Sequence, residues 1–280
     1  MTRDTATWLA AASAQLAAVS DSPRAEAERL LALALGVPRT HLLAGLAPAP
    51  EPSQAAAFEE SLSRRAAGEP FAYISGEQPF HSIDLQVTPD VLIPRPDTEH
   101  LVDWALELLP ALGTQPQVWD VATGSGCVAL AIARSAPTVR LLASDLSVAA
   151  LAVARANAER LGLSRVEFAQ VDVLALPDPV RCFDLIVSNP PYIAENDPHL
   201  PALVHEPRLA LVSGVDGLDC LRRVIEQAPS RLRAAGWLLL EHGYDQGPAV
   251  RGLLAQAGFT DIGTRRDYGG NERVSGGRRP

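Results

Sequence analysis

The chain has 280 residues, of which 47% are hydrophobic and 20% charged, an ordinary composition for a globular protein with a sizeable core. This length suggests one large domain, or a small domain attached to a larger one. The formal net charge of −9 and the pI near 5.2 argue against a general nucleic-acid or anionic-membrane binder. Every one of the 24 basic residues is arginine, which excludes a mechanism based on a lysine Schiff base.

The cysteines and the N-terminal segment indicate the compartment. Cys127, Cys182 and Cys220 are far apart, odd in number and form no C-x-x-C pair, which is typical of reduced thiols. The start, M-T-R-D-T-A-T-W-L, has no signal-peptide hydrophobic stretch, and no run approaches the ~18 apolar residues of a membrane helix. The six histidines show no metal-ligand spacing. We therefore expect a soluble, cytoplasmic protein that binds neither membrane nor metal.

The first quarter of the chain is predicted to be helical. Alanine and leucine recur at helical spacing through 8–19. Ser22, followed by proline, begins a second helix, and Gly36 is placed to end it. A third helix is predicted from near Pro52 to near Gly68.

The pattern then changes to short β-like runs. F-H-S-I-D-L-Q-V and V-L-I, within 73–93, predict a hairpin. A helix follows over H-L-V-D-W-A-L-E-L-L. The expected domains are a helical substrate-docking domain over 1–72, a hairpin linker over 73–94 and a larger domain over 95–280.

Strands and helices alternate from about residue 117, which predicts a parallel sheet covered on both faces. The sequence ends differently, with two short strands around Gly269-Gly270 that favour a final reversed strand. The predicted fold class is therefore α/β. The other strand candidates are 117–121, 139–144, 166–171, 183–188 and 236–241.

A glycine-rich loop follows the first of these strands, in V-W-D-V-A-T-G-S-G-C-V-A-L-A-I-A. Gly124 and Gly126 let the backbone approach a ligand closely, and the helix N-terminus behind them offers free N–H groups. Asp145 ends the next strand, about 20 residues downstream, where a dinucleotide fold places its ribose-binding carboxylate. An adenosine-containing ligand is expected. Because Gly124-x-Gly126-x-x-Ala129 also fits a nicotinamide fingerprint, hydride-transfer enzymes stay open at this point.

Two consecutive prolines stand in S-N-P-P-Y, directly after the apolar run F-D-L-I-V. Neither proline can donate a ladder hydrogen bond, so the strand should end there. A residue before a proline is held extended. The side chain of Asn189 and the carbonyl of Pro190 should therefore project in a fixed direction from the carboxyl edge of the sheet, where ligands bind in open α/β folds.

Two fixed carbonyl oxygens suit a planar NH₂ group, which has two hydrogens to donate. They can orient the weakly nucleophilic nitrogen and stabilise positive charge that develops on it, while Tyr192 lies against its flat face. A carboxylate substrate would set oxygen against oxygen, so an amide or an exocyclic amine is expected. A nicotinamide enzyme has no use for this arrangement, whereas a methyl donor, S-adenosylmethionine, does.

Five segments together resemble the HemK/PrmC family, methyltransferases that modify the glutamine of the Gly-Gly-Gln loop in bacterial peptide chain release factors. The resemblance covers nearly the whole chain, and the second and fifth segments make it more specific than N-P-P-Y alone. The segments are P-F-A-Y-I-S-G-E-Q-P-F (70–80), V-L-I-P-R-P-D-T-E (91–99), D-V-A-T-G-S-G (120–126), S-N-P-P-Y-I (188–193) and D-Y-G-G-N-E-R-V (267–274).

The resemblance implies a class I, Rossmann-like methyltransferase with a seven-stranded, mostly parallel sheet, S-adenosylmethionine as cofactor without a metal, and release factors as partners. Arg95 and Thr98 would border the methionine part of the cofactor, and Glu206 would be structural. The implied cofactor-binding residues are Ala122, Thr123, Gly124, Ser125, Gly126, Asp145, Asp172, Val173 and Asn189. The implied catalytic residues are Asn189, Pro190 and Tyr192, which with Pro191 would hold the substrate glutamine.

One departure from the family pattern concerns Ala122, where the family usually has glycine. Alanine is strained if this position requires a positive φ and costs little if φ is negative. Because Gly124 and Gly126 are intact, cofactor binding should survive. Cys127, in the first turn of the following helix, is expected to be a small packing residue instead of a nucleophile.

Two other functions compete with this interpretation. Adenine in DNA or RNA presents the same two amino hydrogens, but an enzyme acting on it should carry a basic surface. Residues 1–90 instead hold six arginines against eleven acidic residues. A non-catalytic adaptor would leave Asn189 and Asp145 without a purpose.

Overall fold

The computed structural model describes residues 5–176, 178 and 180–280. The chain divides into two compact units, Met1–Gly76 and Glu77–Pro280. The boundary between the two units, after Gly76, lies inside the linker expected over 73–94. None of the helices within the described ranges combines the length and apolar character needed to cross a bilayer.

The first unit is a helical cluster whose three longer helices agree with the prediction. Leu30 and Phe58 are among its most deeply buried side chains. Gly36 ends the second helix with a φ of 67°, the left-handed conformation that suits glycine. The helices are α1 (Thr5–Leu16), α2 (Pro23–Leu35), α3 (Arg39–Leu43), α4 (Pro52–Ala66) and α5 (Phe71–Ser75).

Two short helices of the first unit, α3 and α5, were not predicted. The β-structure predicted from Tyr73 onward is wrong for residues 73–75, which lie in α5. A helix of five residues is too short to show a helical period. Its ends are nevertheless marked, because Pro70 precedes α5 and Gly76 follows it with a φ of 73°.

The second unit is built on a seven-stranded sheet in the order β5-β4-β3-β6-β7-β9-β8. The last strand, β9, is antiparallel to both of its neighbours, as predicted, and β3 to β7 pair in parallel. The strands are β3 (Gln117–Val121), β4 (Arg140–Asp145), β5 (Glu167–Gln170), β6 (Phe183–Ser188), β7 (Leu232–Glu241), β8 (Thr260–Arg266) and β9 (Glu272–Arg278).

Helices cover both faces of this sheet because successive strand residues point to opposite sides. Val118 of β3 faces one hydrophobic cluster, and its neighbour Trp119 faces the other. The first cluster contains residues of α6, α7 and α8, and the second contains residues of α9 and α10. These helices are α6 (Glu99–Leu108), α7 (Cys127–Ser135), α8 (Val148–Arg160), α9 (Asp219–Arg231) and α10 (Gly247–Gln256).

The hairpin pairs β1 (Glu77–Phe80) with β2 (Ile83–Gln86), and α8 holds it in place. The Asn157 side chain accepts from the Gln86 N–H at 2.7 Å and donates to the Gln86 carbonyl at 2.9 Å. The prediction that V-L-I (91–93) is a strand is wrong. Prolines flank this run, and its Ile93 N–H donates at 3.1 Å to the side chain of Glu206 instead of to a neighbouring strand.

Candidate active site

A cavity of about 300 Å³ lies where β3, β4 and β6 end. The carboxyl ends of parallel strands meet at one edge of the sheet, and small-molecule sites in proteins of this class form there. This volume is at the lower end of the usual range for ligand pockets, roughly 300–1,000 Å³. Residues predicted from sequence that line it include Ala122, Thr123, Gly124, Ser125, Asp145, Asp172, Val173, Asn189 and Pro191.

The glycine loop connects β3 to α7 with three positive φ angles. Ala122 has a φ of 59°, Gly124 of 55° and Gly126 of 85°. The two glycines have different tasks. A Cβ added to Gly124 would meet nothing within 4 Å, whereas one added to Gly126 would lie 3.0 Å from Leu130 Cδ1 and 3.3 Å from Ala154 Cβ. Gly124 thus keeps the loop open, while Gly126 lets α7 and α8 pack closely.

Asp120, at the end of β3, holds the glycine loop from behind. Its Oδ2 accepts from the Thr123 hydroxyl at 2.5 Å and from the Ala129 N–H at 3.1 Å. Only 1% of Asp120 is exposed, and burial raises the pKa of its carboxyl to about 7 despite these hydrogen bonds. Asp120 is a residue of the site that the sequence pattern did not indicate.

Asp145 joins the glycine loop to the end of β4. Its Oδ2 accepts from the Gly124 N–H at 2.9 Å, and its Oδ1 accepts from the Ser147 N–H at 2.9 Å. Burial raises the pKa of this carboxyl. Asp145 lines the cavity and a carboxylate oxygen can accept more than one hydrogen bond, so the pair of oxygens can also receive two hydroxyl hydrogens of a ligand.

Asp172 and Val173 follow β5 and also line the cavity. The Asp172 carboxylate forms an exposed ion pair with Arg223 of α9, at 2.8 Å. Arg223 lines the cavity as well, together with Cys220 of the same helix. Helix α9 therefore supplies one wall of the cavity, which the sequence analysis did not anticipate.

The prolines after β6 place Asn189 at the cavity. Its side-chain NH₂ donates to the Thr98 hydroxyl at 3.1 Å, so Oδ1 is left as the acceptor of this amide. Pro191 lines the cavity, but Pro190 and Tyr192 are not among the lining residues in this conformation. Tyr192 instead donates from its hydroxyl to Glu241 at 3.1 Å.

Glu206 holds the segment that carries Arg95 against the loop after β6. Its Oε1 accepts from the Arg95 guanidinium and its Oε2 from the Ile93 N–H. The Glu206 side chain is buried, and both of its oxygens are satisfied. The residue is thus a structural clamp for the cavity wall.

Cys127 begins α7 and lines the cavity. Burial raises the pKa of its thiol to about 12. The thiol is therefore neutral at physiological pH and unsuited to nucleophilic attack, in keeping with the packing role predicted for it.

The residues present fit the cofactor that the resemblance implies. Ser125 Oγ is buried at the cavity beside the Cys127 thiol and has no nitrogen or oxygen partner among the described residues, so a ligand can offer it a stronger hydrogen bond than the thiol does. Gly124 leaves room for close approach, and the acceptor pair of Asp145 suits the two hydroxyls of a ribose. This set of groups matches an adenosine-containing molecule of the size of S-adenosylmethionine.

The chain is similar to known proteins over most of its length. Residues 7–76 match the family described as PrmC N-terminal domain, and residues 102–214 match the methyltransferase small domain. The chain is 48% identical to the release factor glutamine methyltransferase of Bordetella pertussis over 258 residues, covering 91% of this chain and 94% of that protein. The chain belongs to the release factor glutamine methyltransferase family. A further member, from Escherichia coli K12, is 43% identical over 274 residues, with 97% of each chain covered.

A solved structure supports the fold assignment of this family member. The T. thermophilus 16S rRNA N2 G1207 methyltransferase, in complex with AdoMet and guanosine, aligns with a TM-score of 0.56. Its identity is 20%, and the alignment covers 73% of this chain and 50% of that chain. At this identity the likeness shows the fold alone, and it agrees with the Rossmann-like methyltransferase fold predicted from sequence.

The positive φ of Ala122 allows a test of backbone strain. Replacing Ala122 by glycine should raise the free energy of unfolding by about 1 kcal/mol, because alanine is disfavoured in the left-handed region. The exposed Ala152, in the middle of α8, is a matched control: Ala152→Gly should lower stability by about 1 kcal/mol. Calorimetric unfolding of both variants is the measurement. Equal destabilisation by the two substitutions would contradict the strain.

Proposed function

We propose that this chain transfers a methyl group from S-adenosylmethionine to the side-chain amide nitrogen (N5) of the glutamine in the Gly-Gly-Gln motif of peptide chain release factors. The names of its relatives support the reaction and the protein substrate. The observation that carries the proposal is the Asn189 side chain, which lines the cavity beside the glycine loop with its NH₂ bound to Thr98. Its free carbonyl oxygen can then accept from a substrate amide.

The residues that would hold the cofactor are those of the glycine loop together with Asp145. The Asp145 carboxylate would accept from the ribose hydroxyls, and Asp172 and Val173 would lie against the adenine. When bound, S-adenosylmethionine supplies an electrophilic methyl group on a positively charged sulfur. Arg95 and Thr98, which line the cavity near Asn189, would border the methionine part.

Asn189 and Pro190 would hold the substrate. The side-chain oxygen of Asn189 and the backbone oxygen of Pro190 would each accept one hydrogen of the glutamine NH₂ group, and Pro191 and Tyr192 would limit its movement. Two acceptors orient the nitrogen and stabilise the positive charge that it gains as its bond to the methyl group forms. The bond between the methyl group and sulfur would break as the bond to nitrogen forms, and the nitrogen would release one of its two protons to water. Because a glutamate side chain would bring oxygen against oxygen, the same geometry favours the amide.

The helical first unit would dock the release factor, because a single glutamine offers too little surface for selection of one protein. The expected range for this docking domain is 1–72, with the hairpin over 73–94 leading to the catalytic part. The reaction would take place in the cytoplasm, the compartment expected from the sequence. The acidic balance of residues 1–90 disfavours the alternative substrate, adenine in DNA or RNA.

The direct test is transfer of labelled methyl from S-adenosylmethionine to a purified bacterial release factor. A Gln→Ala variant of the Gly-Gly-Gln loop and adenine-rich DNA serve as matched substrates. We expect label in the unmodified release factor alone. Label in the DNA alone would mean that the pocket binds a planar NH₂ group but that the substrate is a nucleic acid.

Asp145→Ala should weaken cofactor binding about tenfold or more, because it removes an acceptor for two hydroxyls and for the Gly124 N–H. Isothermal titration calorimetry with S-adenosylmethionine measures this effect. Asp103→Ala, at a partly exposed aspartate of α6 outside the cavity, is the control and should leave affinity unchanged. An unchanged affinity in Asp145→Ala would rule out the ribose contact.

Asn189→Ala should lower the rate of methyl transfer by about 100-fold, because it removes one of the two acceptors that hold the nucleophile. Binding of S-adenosylmethionine should change much less. Single-turnover transfer to the release factor and cofactor calorimetry separate the two effects. Asn196→Ala, in the exposed loop that follows, should behave like the wild type. A loss confined to cofactor affinity would argue against substrate binding by Asn189.

A further inference from the structure

A buried carboxyl group stands behind the Asn-Pro-Pro-Tyr segment. Glu241 ends β7, next to β6 in the sheet, and only 1% of it is exposed. Its Oε1 accepts from the Tyr192 hydroxyl at 3.1 Å. Its Oε2 is buried, and among the described residues no hydrogen-bond partner binds it in this conformation. Burying a carboxyl group costs folding free energy unless it forms hydrogen bonds, so the unpaired oxygen needs an explanation.

Thr98 lies between this carboxyl group and Asn189. It is 1% exposed, and its oxygen accepts from the Asn189 NH₂ at 3.1 Å. The Thr98 hydroxyl also lies close enough to Glu241 to lower the pKa of that carboxyl against the larger effect of burial, although the two groups are not hydrogen-bonded in this conformation. A hydroxyl has one hydrogen to donate and two lone pairs to accept with, so Thr98 can serve both neighbours at once.

We propose that Glu241 is a positioning residue that, through the Thr98 hydroxyl, sets which end of the Asn189 side-chain amide faces the substrate. The inference rests on the proposed function, since it concerns the acceptor that would hold the glutamine. An ionised carboxylate only accepts. The Thr98 hydrogen is then directed to Glu241, the Thr98 oxygen accepts from the Asn189 NH₂, and the Asn189 oxygen is left for the substrate.

Protonation of Glu241 reverses the donor and acceptor roles along this chain of hydrogen bonds. A protonated carboxyl group can donate to the Thr98 oxygen, and the Thr98 hydrogen is then free to bind the Asn189 oxygen. The amide turns over, and its NH₂ faces the NH₂ of the substrate, donor against donor. The orientation that accepts the substrate therefore belongs to the ionised form of Glu241.

The charges around Glu241 place this change near neutral pH. Burial, and to a smaller extent Asp97 before α6, raise the pKa of Glu241, while Thr98, Tyr192 and Arg273 lower it, and the resulting pKa is about 7. Arg273 is itself paired with Asp267 at 3.0 Å. Burial also raises the pKa of Tyr192, so its hydroxyl remains a donor throughout. The neighbouring thiol of Cys127 stays neutral for the reason given above.

The test is the pH profile of single-turnover methyl transfer to a release factor at saturating S-adenosylmethionine. The wild-type rate should fall about tenfold per pH unit below a pH of about 7, since the active fraction is the ionised one. Glu241→Gln, whose side chain does not titrate, should lose this acid limb. Glu107→Gln, at a surface ion pair with Arg265, is the control and should keep it.

Thr98 variants independently test the link from Glu241 through Thr98 to Asn189. They also keep the proposal testable if Glu241→Gln fails to fold. Thr98→Val keeps the shape but removes the hydroxyl, and it should lower the rate about tenfold or more and make it independent of pH. Thr98→Ser, which keeps the hydroxyl, should restore the acid limb that Thr98→Val lacks. Rescue of the pH profile by the conservative variant distinguishes positioning from a purely structural role.

An acid limb that persists in Glu241→Gln or Thr98→Val would overturn this inference while leaving the proposed function intact. Absence of transfer by the wild-type chain at every pH would overturn both.

Discussion

Parallel pairing of β3 with β4 on one side and β6 on the other is the constraint on which the site depends. Val121, Ser144 and Ser188 are aligned across these strands. The chain therefore leaves all three strands at one edge, and the loops that follow carry the glycines, Asp145 and Asn189. No contact between these loops is needed to bring the three groups together, because the backbone ladder already does so.

Acidic side chains, of which Asp145 is half-buried and the others are buried, then fix each loop at that edge. Asp120 holds the glycine loop, Asp145 joins it to the end of β4, and Glu206 holds the segment before α6. Glu241 stands behind the segment that carries Asn189. Each carboxyl binds backbone N–H groups, hydroxyls or a guanidinium, which satisfies groups that loops would otherwise leave unpaired. The cost of burying the carboxyls is visible in the raised pKa values of Asp120 and Glu241.

Short sequence patterns correctly predicted those features of the fold that residues close together in sequence determine. Strands β3 and β6 were placed with their observed ends, since each is a short apolar run bounded by a turn signal. The prediction of a strand over V-L-I at 91–93 was wrong, because apolar character indicates that a segment is buried but not that it pairs with another strand. The N–H of Ile93 instead donates to a residue distant in sequence, Glu206. Thr98 was expected only to border the cofactor, and Glu241 was missed, because their neighbours come from separate strands and no spacing in the sequence reports such contacts.

The Glu206 clamp also bears on how the cavity can change shape. It joins two stretches of chain more than a hundred positions apart, through an ion pair with Arg95 and a backbone hydrogen bond from Ile93. Separating them would strand a buried carboxylate, at a cost on the order of 3–5 kcal/mol. Rotation of an exposed side chain such as Leu209 on the same wall carries no such penalty. The part of the cavity wall that Glu206 holds is therefore rigid, whereas exposed side chains at the rim of the cavity can change conformation.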